Sequence, residues 1–276
     1  MTLNRSVGEP TPLFVCGSPR SGTTLMGHYV GTSKDILHLG EYGGLFLSFR
    51  LAPHMWMANK LSQTPQSPHM QRYHDELKLH AINFPQELAS QGGFRFWCDS
   101  APMNLTILKD LEEHFPKAVY VVMVRHYRGV LRSLSRAFDS GALWGGRTWV
   151  ERAHKWSFFY GHVPLLPIDR TIVVSYDKLC MYPVEAIGEL QDCLLRFGVS
   201  SESLDAGVFA QSWATDPAGG RPTIGSVDDS GAFRLGPRAY RDEIESPLEL
   251  EDRVLPIVDN ARMLLKERFP WIAEYV

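Results

Sequence analysis

The sequence is short of the features that would take it out of the ordinary globular enzymes. Its four cysteines, Cys16, Cys98, Cys180 and Cys193, are scattered without metal-ligand spacing. That excludes a zinc ribbon or a disulfide framework and is what free thiols in a reducing cytoplasm would look like. No apolar run is long enough to span a bilayer, so no membrane partner is expected. Residues 1–12 lack the apolar core of a secretion signal. They are expected to form an N-terminal tail, and the chain is expected to be cytoplasmic. The sequon Asn104-Leu105-Thr106 is then expected to stay unmodified. Positive charge is not in excess: 28 Lys and Arg stand against 31 Asp and Glu, for a net charge of −3. That balance excludes a general nucleic-acid binder. Internal repeats are also missing.

What remains is enough for a sizeable core, with 44% of the 276 residues hydrophobic. The length suits one α/β domain, taken as residues 1–276. Short apolar runs predict strands at Leu13 to Cys16, Phe94 to Cys98, Ala118 to Val124 and Thr171 to Ser175. Between and after them, helical patterns cover Thr24 to Thr32, Gln71 to Leu88, Met103 to His114, Tyr127 to Phe138, Arg147 to His162 and Pro183 to Phe197. Val254, Ile257, Val258, Ala261, Leu264 and Leu265 share one face of a last helix. Strands alternating with helices predict a parallel sheet with helices on both faces. Trp213 to Pro247 breaks the pattern: it is rich in Gly, Pro, Asp and Ser and carries Arg221, Arg234, Arg238 and Arg241. A long basic loop of this kind is either a lid over an anionic ligand or a solvated surface loop.

The most informative stretch is Gly17-Ser18-Pro19-Arg20-Ser21-Gly22-Thr23-Thr24, set between the first strand and the first helix. A glycine-bearing turn there leaves backbone N–H groups free to converge on an anion, and the helix N-terminus adds positive potential. The spacing fits G-x-x-x-x-G-K-[ST], except that Thr23 stands where the lysine belongs. In nucleoside triphosphatases that lysine reaches the β- and γ-phosphates. Its replacement argues for a smaller anion, held by backbone groups, hydroxyls and the planar fork of Arg20.

The strand Ala118 to Val124 ends in Arg125 rather than in a metal-binding aspartate, which predicts a second anion site and no metal. Ser133 follows two helical turns later and can add a hydroxyl to the same anion. Arg128, Arg132 and Arg136 recur every four residues on that helix and read as a solvated basic face.

These segments resemble the sulfotransferases that use 3′-phosphoadenosine-5′-phosphosulfate (PAPS) and release PAP. Pro19 to Met26 is similar to that family's 5′-phosphosulfate loop, and Val124-Arg125 through Ser133 to its 3′-phosphate segment. Val173-Val174-Ser175-Tyr176-Asp177-Lys178-Leu179 is similar to a later strand that borders the adenosine pocket. The resemblance implies a P-loop α/β fold and a donor held by Arg20, Ser21, Gly22, Thr23, Thr24, Arg125, Ser133 and Tyr176. In the branches acting on tyrosine, glycans and bacterial small molecules a catalytic glutamate follows the first helix, which implies Glu41 as general base with Arg20 beside the transferring group. Read without the family, Glu41 is a solvated loop residue or a helix N-terminal charge.

One segment departs from the family. Cys98-Asp99-Ser100-Ala101-Pro102-Met103-Asn104 has Ser100 where many members carry a lysine. The cytosolic branch uses a histidine base; His38, His54, His69 and His74 lie in that territory but read as surface or packing residues. Two aromatic clusters, one with Phe46, Phe49, Met55, Trp56 and Met57 and one with Phe138, Trp144, Trp149, Trp156, Phe158 and Phe159, fit a small-molecule acceptor or a packed core. Two other readings stay open: a P-loop small-molecule kinase, and a catalytically silent PAPS-binding protein.

Overall fold

The structure, a computed structural model, describes residues 8–51, 68–200, 204, 226–227, 233–234, 244–249 and 251–276. Five parallel strands form its central sheet: β1 (Thr11–Gly17), β2 (Ile36–His38), β3 (Phe96–Asp99), β4 (Val119–Val124) and β5 (Thr171–Ser175), in the order β2-β3-β1-β4-β5. The helices are α1 (Thr23–Val30), α2 (Gly44–Phe46), α3 (Pro68–Gln91), α4 (Leu108–His114), α5 (Tyr127–Asp139), α6 (Trp149–Tyr160), α7 (Tyr176–Met181), α8 (Pro183–Arg196) and α9 (Glu251–Arg268). No helix among the described residues is long and apolar enough to cross a membrane.

The alternating side chains of each strand feed two cores. Phe14, Cys16, Trp97, Tyr120, Val122 and Val124 pack on one face of the sheet, against residues of α4, α5, α6 and α9. Leu13, Val15, Phe96, Cys98, Val121 and Met123 pack on the other, against α1 and α8. Burial on both faces is why the strands read as unbroken apolar runs. β1 and β4 are neighbours, and the chain leaves β1 toward β2 on one side of the sheet and β4 toward β5 on the other. Such a switch point opens a crevice at the carboxyl ends of the strands.

The expected parallel sheet with flanking helices is therefore present. β2 was not anticipated: three residues are too short to make an apolar run, and the strand exists because it pairs with β3. The stretch Val173 to Leu179 is not one strand. Strand geometry stops at Ser175, whose side chain accepts from Lys178 N at 3.0 Å and caps α7. The helix foreseen over Met103 to His114 begins as a tighter turn, Pro102–Ile107, before α4.

Arg128 and Arg132 do not form a solvated face. Arg128 Nε pairs with Glu251 Oε1 at 2.6 Å, and Arg132 Nη2 donates to the carbonyls of Ser246 and Pro247 at 2.8 and 3.0 Å. The arginines fasten the chain just before α9 to α5. Most of the Trp213 to Pro247 stretch, read as a lid or a surface loop, lies outside the described residues, as do His54, Met55, Trp56 and Met57 and the side chains of His69 and His74.

Candidate active site

Every strand of the sheet delivers residues to one end. β1 runs into the Gly17–Thr24 loop, β2 leads to Glu41, β3 to Pro102 and Met103, β4 to Arg125, and β5 to Tyr176. Together with α6 these segments line a cleft of ≈ 740 Å³. Of the residues singled out from sequence, Arg20, Gly22, Thr23, Thr24, Glu41, Arg125, Ser133 and Tyr176 all border it. Ser21 does not; it is buried beneath the loop.

The loop is shaped to face an anion. Gly22 takes a left-handed φ of +101°, a conformation only glycine adopts at no steric cost, and it caps α1 without any side-chain hydrogen bond to the helix. The first N–H groups of α1 therefore turn toward the cleft with their partial positive charge. Arg20 is also left-handed, at φ +72°. A non-glycine residue held there carries about 1 kcal/mol or more of strain, which the surroundings must offset. They do so through both ends of Arg20: its Nε donates to Ser133 Oγ at 2.9 Å, and its carbonyl accepts from Arg125 Nη1 at 3.1 Å.

Arg125 is buried, and its guanidinium lies 4.2 Å from the centre of the Tyr176 ring. Its carbonyl accepts from Trp156 Nε1 at 3.2 Å, and Tyr160 Oη donates to Met123 O at 2.8 Å, so the end of β4 is braced from below by α6. Asp177 Oδ2 accepts from His126 N at 2.7 Å, tying the start of α7 to the residue after Arg125. Burial lowers the Arg20 pKa, and repulsion from Arg125 and Arg136 lowers it further. Two guanidiniums held this close in a partly buried cleft make a site that gains from a bound anion.

Glu41 borders the same cleft beside the anion loop. It is exposed, and its Oε1 accepts from Thr24 Oγ1 at 3.1 Å. A carboxylate capable of taking a proton thus sits one hydroxyl away from the anion loop.

Ser100 points elsewhere. It is buried, its Oγ lies 3.1 Å from His38 Nε2, and the pair packs onto α1 where Gly27 leaves room. Burial, with the neighbouring His28, pushes the His38 pKa down to about 4, so that ring is neutral near pH 7. Neither residue borders the cleft.

Of one wall the sequence reading named only the aromatic residues, Trp144, Phe158 and Phe159, as acceptor-site or core candidates, and missed the polar ones. Glu151, His154, Lys155 and Phe158 face the cleft from α6. Their spacing of three, four and seven residues is a helix-face signal, masked by aromatic neighbours that fit a packed core equally well. Lys155 Nζ donates to the Trp144 carbonyl, and burial lowers its pKa. Trp144 and Phe158 border the cleft while 52% and 56% exposed; Trp156 belongs to the core. Among the described residues no three His, Cys, Asp or Glu side chains gather as a metal-sized cluster.

A model of the sulfotransferase family matches residues 12–195 of the chain. Two solved structures share the fold. One is the sulfotransferase domain from the curacin biosynthetic pathway, 18% identical with a TM-score of 0.60, the match covering 91% of this chain and 97% of that one. The other is the sulfotransferase domain from the Synechococcus PCC 7002 olefin synthase, 18% identical with a TM-score of 0.55, covering 94% and 98%. No curated protein sequence matches.

Proposed function

The chain belongs to the sulfotransferase family, and on that premise we propose that it transfers a sulfuryl group from PAPS to a hydroxyl or amine of a small-molecule acceptor. The observation that carries this reading is the cleft itself. Arg20, Arg125 and Ser133 crowd positive charge and a hydroxyl around an uncapped helix N-terminus, with Glu41 facing them across Thr24. A nucleotide with a phosphate on C3′ and a phosphosulfate on C5′ matches two adjoining cationic positions.

Arg125 and Ser133 hold the 3′-phosphate, and Tyr176 borders the adenosine. The loop N–H groups, Thr23 and Arg20 hold the 5′ end and stabilise the charge that builds on its bridging oxygen as the S–O bond breaks. PAPS, when bound, supplies the activated sulfuryl group. Glu41 takes the proton of the acceptor as the new bond to sulfur forms in line. Ser133 must let go of Arg20 Nε, or share it, when the anion arrives. Lys155 supplies the cation that the Ser100 segment lacks, acting from the α6 wall. Trp144 and Phe158 give that wall an apolar surface for the acceptor.

The reading is tested by melting the protein with 3′,5′-ADP and with Mg-ATP, and by screening PAPS with a metabolite panel for products heavier by one sulfuryl group. Stabilisation by Mg-ATP alone would favour a kinase. Binding of 3′,5′-ADP with no turnover on any acceptor would favour the silent binding protein that Ser100 suggests.

A further inference from the structure

Glu41 rides on a loop with little rigidity of its own. Gly40 and Gly43 flank its dipeptide with left-handed φ of +69° and +64°. A residue between two such glycines has many unfolded-like alternatives, so its carboxylate is only as well aimed as its backbone is pinned.

The pins come from the end of β3. Leu39 N donates to Cys98 O at 2.9 Å and Ser100 N to Gly40 O at 2.9 Å, just before Glu41. Just after it, Tyr42 N donates to Asp99 Oδ1 at 3.1 Å. The same Oδ1 accepts from Ala101 N at 2.9 Å. One oxygen atom therefore joins the residue following Glu41 to the turn that delivers Pro102 and Met103 to the cleft.

Asp99 is an expensive residue to place there. It is fully buried, and its second oxygen, Oδ2, has no hydrogen-bond partner among the described residues. The Asn104 amide oxygen, in the same turn, is buried and also has no donor among the described residues. The titratable groups that share a charge interaction with Asp99 are Glu41 and Tyr42 on the loop, Cys16 on β1 and Cys98 on β3. Burial raises its pKa to about 6, against the Ala101 and Tyr42 N–H groups on Oδ1 and the nearby Asn104 amide, which donates to the Asp99 backbone carbonyl at 3.5 Å, and the Glu41 charge adds to the rise. A buried carboxyl with half its acceptor capacity unused destabilises the fold, so packing alone does not account for it.

We propose that Asp99 is a positioning residue for Glu41, which it aims by holding the Tyr42 N–H and the β3 turn on one oxygen. The proposal rests on the reading of Glu41 as the base. It goes beyond that reading in assigning a function to a side chain that touches neither donor nor acceptor.

The test combines Asp99→Ala and Asp99→Asn with Glu41→Ala. Asp99→Ala is expected to slow sulfuryl transfer by about tenfold to a hundredfold, as a misaimed base does, with the Kd for 3′,5′-ADP unchanged. Asp99→Asn keeps an acceptor oxygen in place and is expected to restore the rate to within about threefold of the parent. Adding Asp99→Ala to Glu41→Ala is expected to cost nothing more, because both act through one carboxylate. Hydrogen exchange gives a readout independent of turnover: the Tyr42 amide exchanges faster in Asp99→Ala and stays protected in Asp99→Asn. Should Asp99→Ala not fold, Asp99→Ser, too short to reach Tyr42 N, takes its place. An unchanged Tyr42 amide, a full further loss in the Glu41→Ala background, or a parallel loss of 3′,5′-ADP affinity would each overturn the proposal. If the parent itself transfers no sulfuryl group, the reading of Glu41 fails, and the Tyr42 amide still decides whether Asp99 holds the loop.

Discussion

Replacing Asp99 by asparagine should make the protein more stable at pH 8 and leave it unchanged near pH 3. The Asp99 pKa is raised from 3.8 to about 6, chiefly by burial of the charged form. A carboxyl whose proton is held more tightly in the folded state favours folding only while it is protonated. Its contribution is complete below about pH 3.8 and is lost as the pH rises through about 6. The separation between 3.8 and about 6, at about 1.4 kcal/mol for each tenfold change in proton affinity, comes to about 3 kcal/mol. The N–H bonds from Ala101 and Tyr42 already oppose the rise, so this figure is net of them. Asparagine has the shape of the protonated acid at every pH, and its amide brings donors to the turn where Asn104 Oδ1 has none among the described residues. The assay is thermal or urea unfolding of both proteins from pH 4 to pH 8. The gap should open from near zero to about 3 kcal/mol, or about 6–12 °C in Tm at about 2–4 °C per kcal/mol. A gap that is the same at pH 4 and pH 8, or a variant less stable at pH 8, would refute the assignment of a buried, strained carboxylate.

The remaining predictions concern the cleft. Glu41→Gln should lower turnover by about 10²–10⁴-fold, the usual contribution of a general base, while calorimetry finds the 3′,5′-ADP affinity within twofold of the parent. Arg125→Met should weaken 3′,5′-ADP by about ten- to a hundredfold, the loss of charge-assisted bonds to phosphate, and leave 5′-AMP nearly unaffected; equal losses for both nucleotides would remove Arg125 from the 3′ position. Lys155→Met should slow sulfuryl transfer by about tenfold or more with nucleotide affinity unchanged, and a variant as fast as the parent would leave the Ser100 lysine without a replacement on α6. Ser100→Lys should lower Tm without raising turnover, since the added ammonium enters a packed site; faster transfer by this variant would show that the cleft accepts a cation from β3.

The sheet was legible because burial on both faces writes continuous apolar runs such as Val119–Val124, and the loop because Gly22 and Arg20 sit at fixed distances from a strand and a helix. Three things were not legible, for three different reasons. β2 owes its existence to pairing with β3 rather than to its own residues, and no local pattern marks it. Arg128 and Arg132 have the periodicity of a solvated face, yet their partners, Glu251 and the carbonyls of Ser246 and Pro247, lie more than a hundred residues away in the chain. The aim of Glu41 depends on Asp99, which is remote in sequence and adjacent only because β2 and β3 are neighbours. Sequence gives the chemistry of a side chain; which backbone holds it still is a property of strand order.

The same strand order bears on the lysine that the Ser100 segment lacks. Ser100 leaves β3 on the side where His38, at the end of β2, and Gly27, on α1, close over it. A Cβ on Gly27 would come within 2.5 Å of the Ser100 Cβ, so there is no slack in that contact. The His38 ring beside it has its pKa pushed to about 4 by burial, which marks the surroundings as unfavourable to a cation. A lysine here would have to abandon this layer to reach the donor. The small residue instead lets α1 pack close to β2 and β3, and α1 is the helix whose uncapped N-terminus faces the anion. In this chain the cations bordering the cleft come from different elements: Arg20 from the loop after β1, Arg125 from the end of β4 and Lys155 from α6. On the proposed reading, the cation that a β3 lysine would supply comes instead from α6, beside Trp144 and Phe158, the apolar residues proposed to face the acceptor. That position makes Lys155 sensitive to the charge of the acceptor as well as to the leaving phosphate.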